Sequence, residues 1–464
     1  MTSSDTLASQ GGQLLAAGDI AGAEALFQQV LALDSCQVFA LSNLAWLCEQ
    51  QGRLTEAESL YLRALDAVPD DMHLLQNLGV VLMRLRRSAD AERAMQRVLA
   101  LAPELAAGWS NLGALYAAMQ RETEAERCYR RAIALDGSYT KARYNLSYLL
   151  LRQGRWPEGW QMLESRGQAS NFADYFVFPR WHGQSLAGST ILICPEAGMG
   201  DMLMLCRYAP LLKAMGAVRV SLLCHAPLAR LLRGAPGIDE VLAIGEPVAS
   251  TGWDWWVPVL SLPGLCATTL ETIPAEVPYL LLPANGEARE PGLTLRVGLA
   301  WKGNPRHEND GERSLASLDV LAPLGQVAGV EFFSLQKGAG ENEVCSAISF
   351  VSGGAALEDM ADTAALIASL DLVISVDTAV AHLAGALGKP CWLLLPDYLP
   401  DWRWLAGRND SPWYPSMRLF RQPSVGGWGA LIVYLADELR TVVSAAEPDS
   451  TQRRTRGRTG SPRP

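Results

Sequence analysis

Hydrophobic residues follow two different patterns along the chain. Over roughly the first third they recur at helical spacing in blocks of constant length. From Pro179 onwards, short apolar runs alternate with amphipathic helical stretches, the pattern of strands joined by crossover helices. Since domains cluster near roughly 100 to 200 residues, the 464 residues predict two or three units. The patterns predict a helical array followed by an α/β region.

A repeat of 34 residues accounts for the first pattern. An Asn-Leu pair recurs at this interval and is followed each time by a small residue, at Ala45, Gly79, Gly113 and Ser147. Small residues let two helices cross closely, and bulky side chains fill the space between them. These bulky residues are Phe27, Tyr61, Met95 and Tyr129. The period is the tetratricopeptide (TPR) length, so we expect about four and a half helical hairpins over residues 4–168.

The predicted array specifies an architecture and leaves its chemistry open. The concave face of such an α-solenoid commonly holds a peptide or partner protein, so a protein or peptide acceptor on this face is our expectation. The alternative is a packing or dimerisation surface.

The α/β region divides into two predicted halves, residues 179–288 and 293–445, with a polar linker at Pro283–Pro291. Strands are predicted at 191–194, 218–224, 241–244, 255–257, 295–301, 330–335, 372–376 and 391–395. Helices are predicted at 201–215, from 228 to 233, and at 315–327, 360–368, 378–387 and 428–445. Two doubly wound, Rossmann-like sheets facing one cleft would bind ligand at the carboxyl ends of their strands.

Composition narrows the class of protein. Apolar residues make up 49% of the chain and charged residues only 19%, which predicts packed interiors. The net charge of −10 argues against a nucleic-acid binder, and the arginine-rich tail, residues 446–464, is expected to be disordered in solvent. Nine cysteines form no C-x-x-C pair. With no leader-like or membrane-spanning apolar run, the expectation is a cytoplasmic protein without membrane insertion.

The first candidate site follows the strand at 191–194. Gly198 and Gly200 would let a ligand approach the backbone, and the helix that begins there offers unpaired N–H groups. Asp201 could take a proton from an attacking hydroxyl as a general base. The alternative is that Asp201 only caps its helix.

The second candidate is the strand that ends at Asp377 and the helix of small residues that follows. Thr378 and Ala379 begin this helix, whose N-terminus suits a diphosphate, and Asp377 could hold sugar or ribose hydroxyls. His382 could donate a hydrogen bond to a phosphate or sugar oxygen. A buried core histidine is the alternative, although the surrounding pattern favours the ligand role.

The third candidate is a polar and cationic group at two strand ends. Its members after the strand ending at Trp301 are Lys302, Asn304, His307, Asn309, Arg313 and Ser314, and Gln336 and Lys337 follow the next strand. Such residues at strand ends would neutralise a phosphate-bearing ligand. For Arg313 and Lys337 a solvated surface pair is an equal alternative.

Together these segments resemble the heptosyltransferase-like glycosyltransferases, and the whole chain looks like bacterial TPR proteins that carry such a domain behind the repeats. The segments are 196–201 with Arg207 and Tyr208, 298–304, 313–314, 334–337 and 377–390. The last of these is the most specific. Two departures are Ala197, where the related TPR proteins commonly have Gln, and Lys302, where a small residue is common. The resemblance implies a GT-B fold, with residues 179–288 on the acceptor side and 293–445 on the nucleotide-sugar side.

The resemblance also implies roles for single residues. Asp201 matches the catalytic base, and Asp377, Thr378, Ala379 and His382 match the donor-binding loop and helix. Arg313 falls near the cation that steadies the leaving diphosphate, and Gln336 or Lys337 near a nucleotide or ribose contact. Gly198, Gly200, Trp301 and Asn304 complete the implied nucleotide-sugar site.

The resulting hypothesis is a glycosyltransferase that moves a sugar from a nucleoside-diphosphate sugar to an acceptor, which could be a protein recruited by the TPR array. Transfer would be inverting and would need no metal and no cofactor beyond the donor substrate. The competing hypothesis is a non-enzymatic TPR interaction scaffold with a vestigial glycosyltransferase domain. A third is an epimerase that acts on the nucleotide sugar itself.

Overall fold

The computed structural model describes residues 4–167, 172, 174–281, 294–352, 356–424 and 426–446. The predicted linker at Pro283–Pro291 lies outside the described residues, and so does the predicted tail from residue 447 onwards. The chain forms two compact units, which divide after Leu149.

The described N-terminal part consists of ten helices in consecutive pairs. They are α1 (Ser4–Ala16), α2 (Ile20–Leu33), α3 (Val38–Gln50), α4 (Leu54–Ala67), α5 (Met72–Arg84), α6 (Ser88–Leu101), α7 (Ala106–Ala118), α8 (Glu122–Leu135), α9 (Thr140–Arg152) and α10 (Trp156–Leu163). The predicted TPR solenoid is thereby confirmed.

Close crossing of the paired helices depends on the small residues of the repeat. A Cβ atom added at Gly113 would lie 2.8 Å from Cδ1 of Tyr129, and one added at Gly79 would lie 3.0 Å from Cγ of Met95. The same relation holds between Gly11 and Phe27, at 2.7 Å from Cε1. Gly11 therefore extends the 34-residue series by one repeat towards the N-terminus, a member that the sequence analysis missed.

The helix α10 packs within the second unit through its two indole rings. The ring of Trp156 stacks on that of Trp413, with centroids 5.3 Å apart, and Trp160 meets Trp402 edge-on at 5.2 Å. Trp160 also donates its indole N–H to the carbonyl of Thr268 at 2.9 Å. These contacts tie α10 to residues far along the chain.

The first sheet of the second unit is four-stranded and parallel. Its strands are β1 (Thr190–Cys194), β2 (Arg219–Cys224), β3 (Glu240–Ala243) and β4 (Trp255–Pro258), in the order β3-β2-β1-β4. The helices are α11 (Met199–Leu205), α12 (Ala209–Ala214), α13 (Ala226–Leu232) and α14 (Leu262–Leu265). A 3₁₀ turn, Cys206–Tyr208, separates α11 from α12 where one helix was predicted. Pro210 stands in the first turn of α12, where its missing N–H is tolerated.

The second sheet is six-stranded and parallel. Its strands are β5 (Leu295–Ala300), β6 (Val330–Ser334), β7 (Phe350–Ser352), β8 (Leu372–Val376), β9 (Cys391–Leu395) and β10 (Met417–Arg421), in the order β10-β9-β8-β5-β6-β7. The helices are α15 (Asp310–Arg313), α16 (Met360–Ala368), α17 (Ala379–Ala386) and α18 (Trp428–Ala446). The predicted helix at 315–327 is a 3₁₀ stretch, Leu318–Gln326, because Pro323 interrupts α-helical hydrogen bonding.

Both sheets place a crevice where the strand order reverses. In the second sheet the chain moves from β5 to β6 and β7 on one side, then returns to β8, β9 and β10 on the other. Ligands of doubly wound sheets bind at the carboxyl ends of the strands at this switch point. The switch point therefore lies between β1 and β4 in the first sheet, and between β5 and β8 in the second. In the described residues no helix is long and apolar enough to cross a membrane.

Candidate functional site

The helices α11 and α17 bring the carboxyl ends of the two sheets together. A Cβ atom added at Gly200, in α11, would lie 2.6 Å from Cδ2 of His382, in α17. The imidazole thus occupies the space that a side chain at residue 200 would need. Gly200 thus permits close packing between α11 and α17. Contact of Gly198 and Gly200 with a ligand remains a prediction.

Asp201 stands in the first turn of α11, with 17% of its side chain exposed. Its Oδ2 accepts the backbone N–H of Gly198 at 2.9 Å, the capping role that the sequence left open. Its Oδ1 pairs with the guanidinium of Arg403, from the second α/β half. One carboxylate oxygen is therefore used locally and the other reaches across to the second sheet. The role of Asp201 as a base remains a prediction.

Asp377 follows β8 and lies almost buried among aromatic side chains. Its Oδ2 accepts the indole N–H of Trp404 at 2.9 Å, and its Oδ1 lies 4.0 Å from Nε2 of His382. Burial raises the pKa of Asp377 to about 6, with a contribution from the charge of Asp401, against the hydrogen bond from Trp404. The carboxyl group can therefore change its charge near neutral pH.

His382 is only 5% exposed and makes contacts on several sides. Its Nδ1 lies 2.9 Å from the hydroxyl of Tyr414, and its ring stacks on Trp404 with centroids 5.3 Å apart. Burial holds the pKa of His382 well below its ordinary value, and three arginines add to this effect: Arg403, Arg207 and Arg313. The imidazole is thus neutral at neutral pH, with Nε2 towards Asp377. The core-histidine alternative and the predicted ligand role both fit this position.

The N-terminus of α17 lies at the crevice between β5 and β8. Thr378 is its N-cap residue and Ala379 its first residue. The Thr378 hydroxyl lies 3.1 Å from that of Ser375, at the end of β8. The positive end of the helix dipole therefore points to the carboxyl edge of the sheet, as the predicted diphosphate site requires.

Trp301 and Gln336 hold the loops after β5 and β6 together. Gln336, 2% exposed, accepts the backbone N–H groups of Trp301 and Lys302 at 2.9 and 3.0 Å. Its amide nitrogen donates to the carbonyl of Ala339 at 2.8 Å. Trp301 is 1% exposed and donates its indole N–H to Glu343. Both side chains thus fix the loops, while their predicted nucleotide contacts stay untested.

The remaining predicted residues differ in their placement. Arg313 pairs with Asp310 at 3.2 Å, and its charge acts on the pKa of both Asp377 and His382, so it lies near them. Lys337 has a half-exposed side chain and pairs with Glu341 at 3.0 Å, the surface pair that the sequence left as an alternative. Asn304 is exposed and accepts the backbone N–H of Arg306.

The segment from Asp401 to Tyr414 contributes residues that the sequence analysis missed. It supplies Arg403 to Asp201, Trp404 to Asp377 and Tyr414 to His382. The only signal in the sequence is the concentration of three tryptophans among charged residues shortly after the strand at 391–395. His225, after β2, was also missed: burial lowers its pKa, and the charge of Asp201 opposes this effect.

Arg207 joins the two halves beside this cluster. Although 5% exposed, its guanidinium donates to the carbonyl of Trp413 at 2.7 Å and to the hydroxyl of Tyr279 at 2.8 Å. A cavity of about 340 Å³ lies elsewhere, between β10 and α18, and the predicted site residues are not among those that line it. Within the described ranges, no group of three or more His, Cys, Asp or Glu side chains could hold a metal ion.

Comparison with known proteins gives matches in both parts of the chain. Tetratricopeptide repeat models match residues 10–71 and 106–139, and the model of glycosyltransferase family 9 (heptosyltransferase) matches residues 355–393. Protein FlbA of Caulobacter vibrioides is 31% identical over 336 residues, which are 63% of this chain and 54% of FlbA. The chain thus spans about half the length of this relative.

Solved structures resemble the chain over about a third of its length. PilF of Pseudomonas aeruginosa is 19% identical with a TM-score of 0.33, covering 36% of this chain and 78% of PilF. A MamA fragment from Desulfovibrio magneticus RS-1 is 16% identical with a TM-score of 0.32, covering 34% of this chain and 90% of the fragment. The protein combines N-terminal tetratricopeptide repeats with a C-terminal α/β region in which residues 355–393 match glycosyltransferase family 9.

Proposed function

We propose that the protein is a glycosyltransferase of GT-B type that moves a sugar from a nucleoside-diphosphate sugar to an acceptor hydroxyl. The observation that carries the proposal is the contact between Gly200 and His382. It places the first turn of α11, with Asp201, beside the helix α17 that follows Asp377. The family match supports the proposal because residues 355–393 include both Asp377 and His382.

The donor side of the proposed site is the crevice after β5 and β8. A diphosphate at the N-terminus of α17 would meet the helix dipole and the charge of Arg313. Asp377 would accept hydrogen bonds from sugar or ribose hydroxyls. His382, neutral and fixed by Tyr414, would offer Nε2 to the donor. Trp301 and Gln336 would act by holding the loops that frame the crevice.

The acceptor side centres on Asp201. As the acceptor oxygen attacks the anomeric carbon, its proton passes to the Asp201 carboxylate and the bond from that carbon to the diphosphate oxygen breaks. Attack from the side opposite the diphosphate inverts the configuration. The developing charge on the diphosphate is met by the dipole of α17 and by the cationic side chains, so catalysis is electrostatic and needs no metal.

The acceptor is a protein or peptide recruited by the repeat array. Phe39 and Trp46 are 48% and 40% exposed, although both are large aromatic residues. They lie seven residues apart in α3 and therefore share one face of that helix. Exposed aromatic residues of this kind are common anchors of protein interfaces.

Donor turnover tests the enzymatic part of the proposal. The wild-type protein is incubated with a panel of nucleotide sugars, and release of nucleoside diphosphate and the sugar products are measured. Asp201→Ala should lower turnover roughly 100-fold or more, the contribution expected of a general base. Asp71→Ala is the matched control because Asp71 also accepts a helix-start N–H at 2.9 Å, in the repeat array.

The outcomes separate the hypotheses. If the wild-type protein neither binds nor turns over any donor, the glycosyltransferase proposal is wrong and the scaffold hypothesis stands. If the nucleotide sugar is converted into its epimer without release of diphosphate, the protein is an epimerase. Transfer that is lost in Phe39→Ala and Trp46→Ala while donor hydrolysis persists would support recruitment by the array.

A further inference from the structure

Arg403 is a nearly buried cation shared by two carboxylates. Its Nη1 donates to both oxygens of Asp401, at 2.8 and 3.0 Å, and its Nη2 pairs with Oδ1 of Asp201. The guanidinium carbon lies 4.4 Å from the centre of the Trp402 ring, and the side chain is 7% exposed. Asp401 and Trp402 therefore fix the orientation of the guanidinium, whose other end is bound to the proposed base.

The same guanidinium lies close to the donor side. Its charge acts on the pKa of both Asp377 and His382. Trp404, the next residue, donates its indole N–H to Asp377. Arg403 therefore pairs with the first turn of α11 and lies near Asp377 and His382, on the side where the reaction proposed above would place the diphosphate.

We propose that Arg403 binds the diphosphate of the donor, and that the diphosphate and Asp201 compete for its guanidinium. This inference rests on the proposed glycosyltransferase function. A diphosphate carries more charge and more acceptor oxygens than a carboxylate, and the planar guanidinium suits two such oxygens at once. Asp401 would keep its two hydrogen bonds and hold Arg403 in place during the exchange.

The exchange couples the two substrates. When the guanidinium turns to the diphosphate, Oδ1 of Asp201 loses its ion-pair partner and can accept the hydrogen bond of the acceptor hydroxyl. The acceptor oxygen then bonds to the anomeric carbon, its proton passes to Asp201, and the electron pair of the broken carbon–oxygen bond leaves on the diphosphate beside Arg403. Donor binding therefore precedes productive binding of the acceptor.

A double-mutant cycle tests the competition. Binding of UDP, GDP, ADP and dTDP, and of the matching monophosphates, is measured by calorimetry for wild type, Arg403→Gln, Asp201→Asn and the double variant. Loss of a charge-assisted hydrogen bond should weaken diphosphate binding roughly 10-fold or more in Arg403→Gln. Asp201→Asn should tighten diphosphate binding, because it removes the competitor. In the double variant this gain should disappear.

Control variants distinguish this from a general effect on the fold. Arg408→Gln is matched, since Arg408 also forms a two-pronged pair, with Asp410, on the same segment, and it should bind diphosphates as the wild type does. Arg403→Lys keeps the charge without the planar fork and should fall between wild type and Arg403→Gln.

Three results would overturn the inference. Undiminished diphosphate binding by Arg403→Gln would show that Arg403 is not a ligand. A gain from Asp201→Asn that persists in the double variant would show repulsion by Asp201 without exchange. If no nucleoside diphosphate binds the wild type, the proposed function is wrong and the inference falls with it. If a nucleoside diphosphate binds but the effects of the two substitutions on its binding free energy are additive, only the inference is wrong.

Discussion

At the scale of single residues, Asp377 shows how burial and charge oppose each other at this site. Removal from water disfavours its ionised form, and nearby Asp401 disfavours it further. The indole of Trp404 and the charges of Arg313 and Arg403 act in the opposite direction without cancelling the effect. Ionisation of this buried carboxyl group lowers the free energy of unfolding. A residue with only a structural role would not require an ionisable group here.

The pKa of Asp377 predicts a pH-dependent gain for Asp377→Asn. The folded-state pKa, about 6, lies above the ordinary value, so wild-type stability falls as pH rises from about 4 to about 6 and stays lower above that range. Asparagine cannot ionise. The variant should therefore match the wild type near pH 4 and exceed it by about 1–3 kcal/mol above pH 7.

Urea unfolding at pH 4.5 and 7.5 measures this gain. The control is Asp437→Asn, on α18, whose carboxylate is 66% exposed and pairs with Arg440. Its effect on the free energy of unfolding should be small, because water already solvates this exposed ion pair. A gain in Asp377→Asn that does not grow with pH would contradict the predicted electrostatics.

At the scale of elements, the packing of α11 on α17 predicts unequal effects for two nearby glycines. Alanine at residue 200 would force its Cβ against His382, at 2.6 Å, and should destabilise the protein by about 1–3 kcal/mol. Alanine at residue 198 would meet nothing closer than Asp201 Oδ2, at 3.7 Å, and should cost less than about 0.5 kcal/mol. Denaturant midpoints of Gly200→Ala and Gly198→Ala check this, and equal shifts would refute the packing argument.

The elements also show what the sequence can predict. The buried strands β1, β2, β8 and β9 are short and mostly apolar, and the repeat helices carry a fixed period, so their positions followed from the pattern. The strand β7 has three residues, too few for a pattern, and β10 contains two arginines. Pro210 and Pro323 altered helices that periodicity alone predicted as continuous.

The candidate site was predictable only where its residues follow a strand directly. Asp377 and His382 could be assigned to the site because parallel strands have their carboxyl ends at the same edge of the sheet. Arg403 and Tyr414 lie in an irregular segment, and their contacts join residues far apart in sequence. The position of such residues depends on tertiary packing, and neither periodicity nor spacing encodes it.

At the scale of the whole molecule, the division after Leu149 predicts two unfolding transitions, because each unit has its own set of contacts. A nucleoside diphosphate bound by the second unit should raise one transition by mass action. Gly113→Ala, which would push a Cβ to 2.8 Å from Tyr129 in the first unit, should lower the other. Scanning calorimetry distinguishes them; a single transition moved by both changes would be inconsistent with separate units.

The tryptophans of α10 have a consequence for protein engineering. By sequence period this helix ends the repeat array, yet its indole rings pack with Trp402 and Trp413, on the segment that also supplies Arg403. A chimaera that replaces the array together with α10 would remove the indole rings that pack on Trp402 and Trp413 in the α/β unit. An exchangeable recognition module must therefore end before α10. The α/β unit that receives a new array must keep its own Trp156 and Trp160.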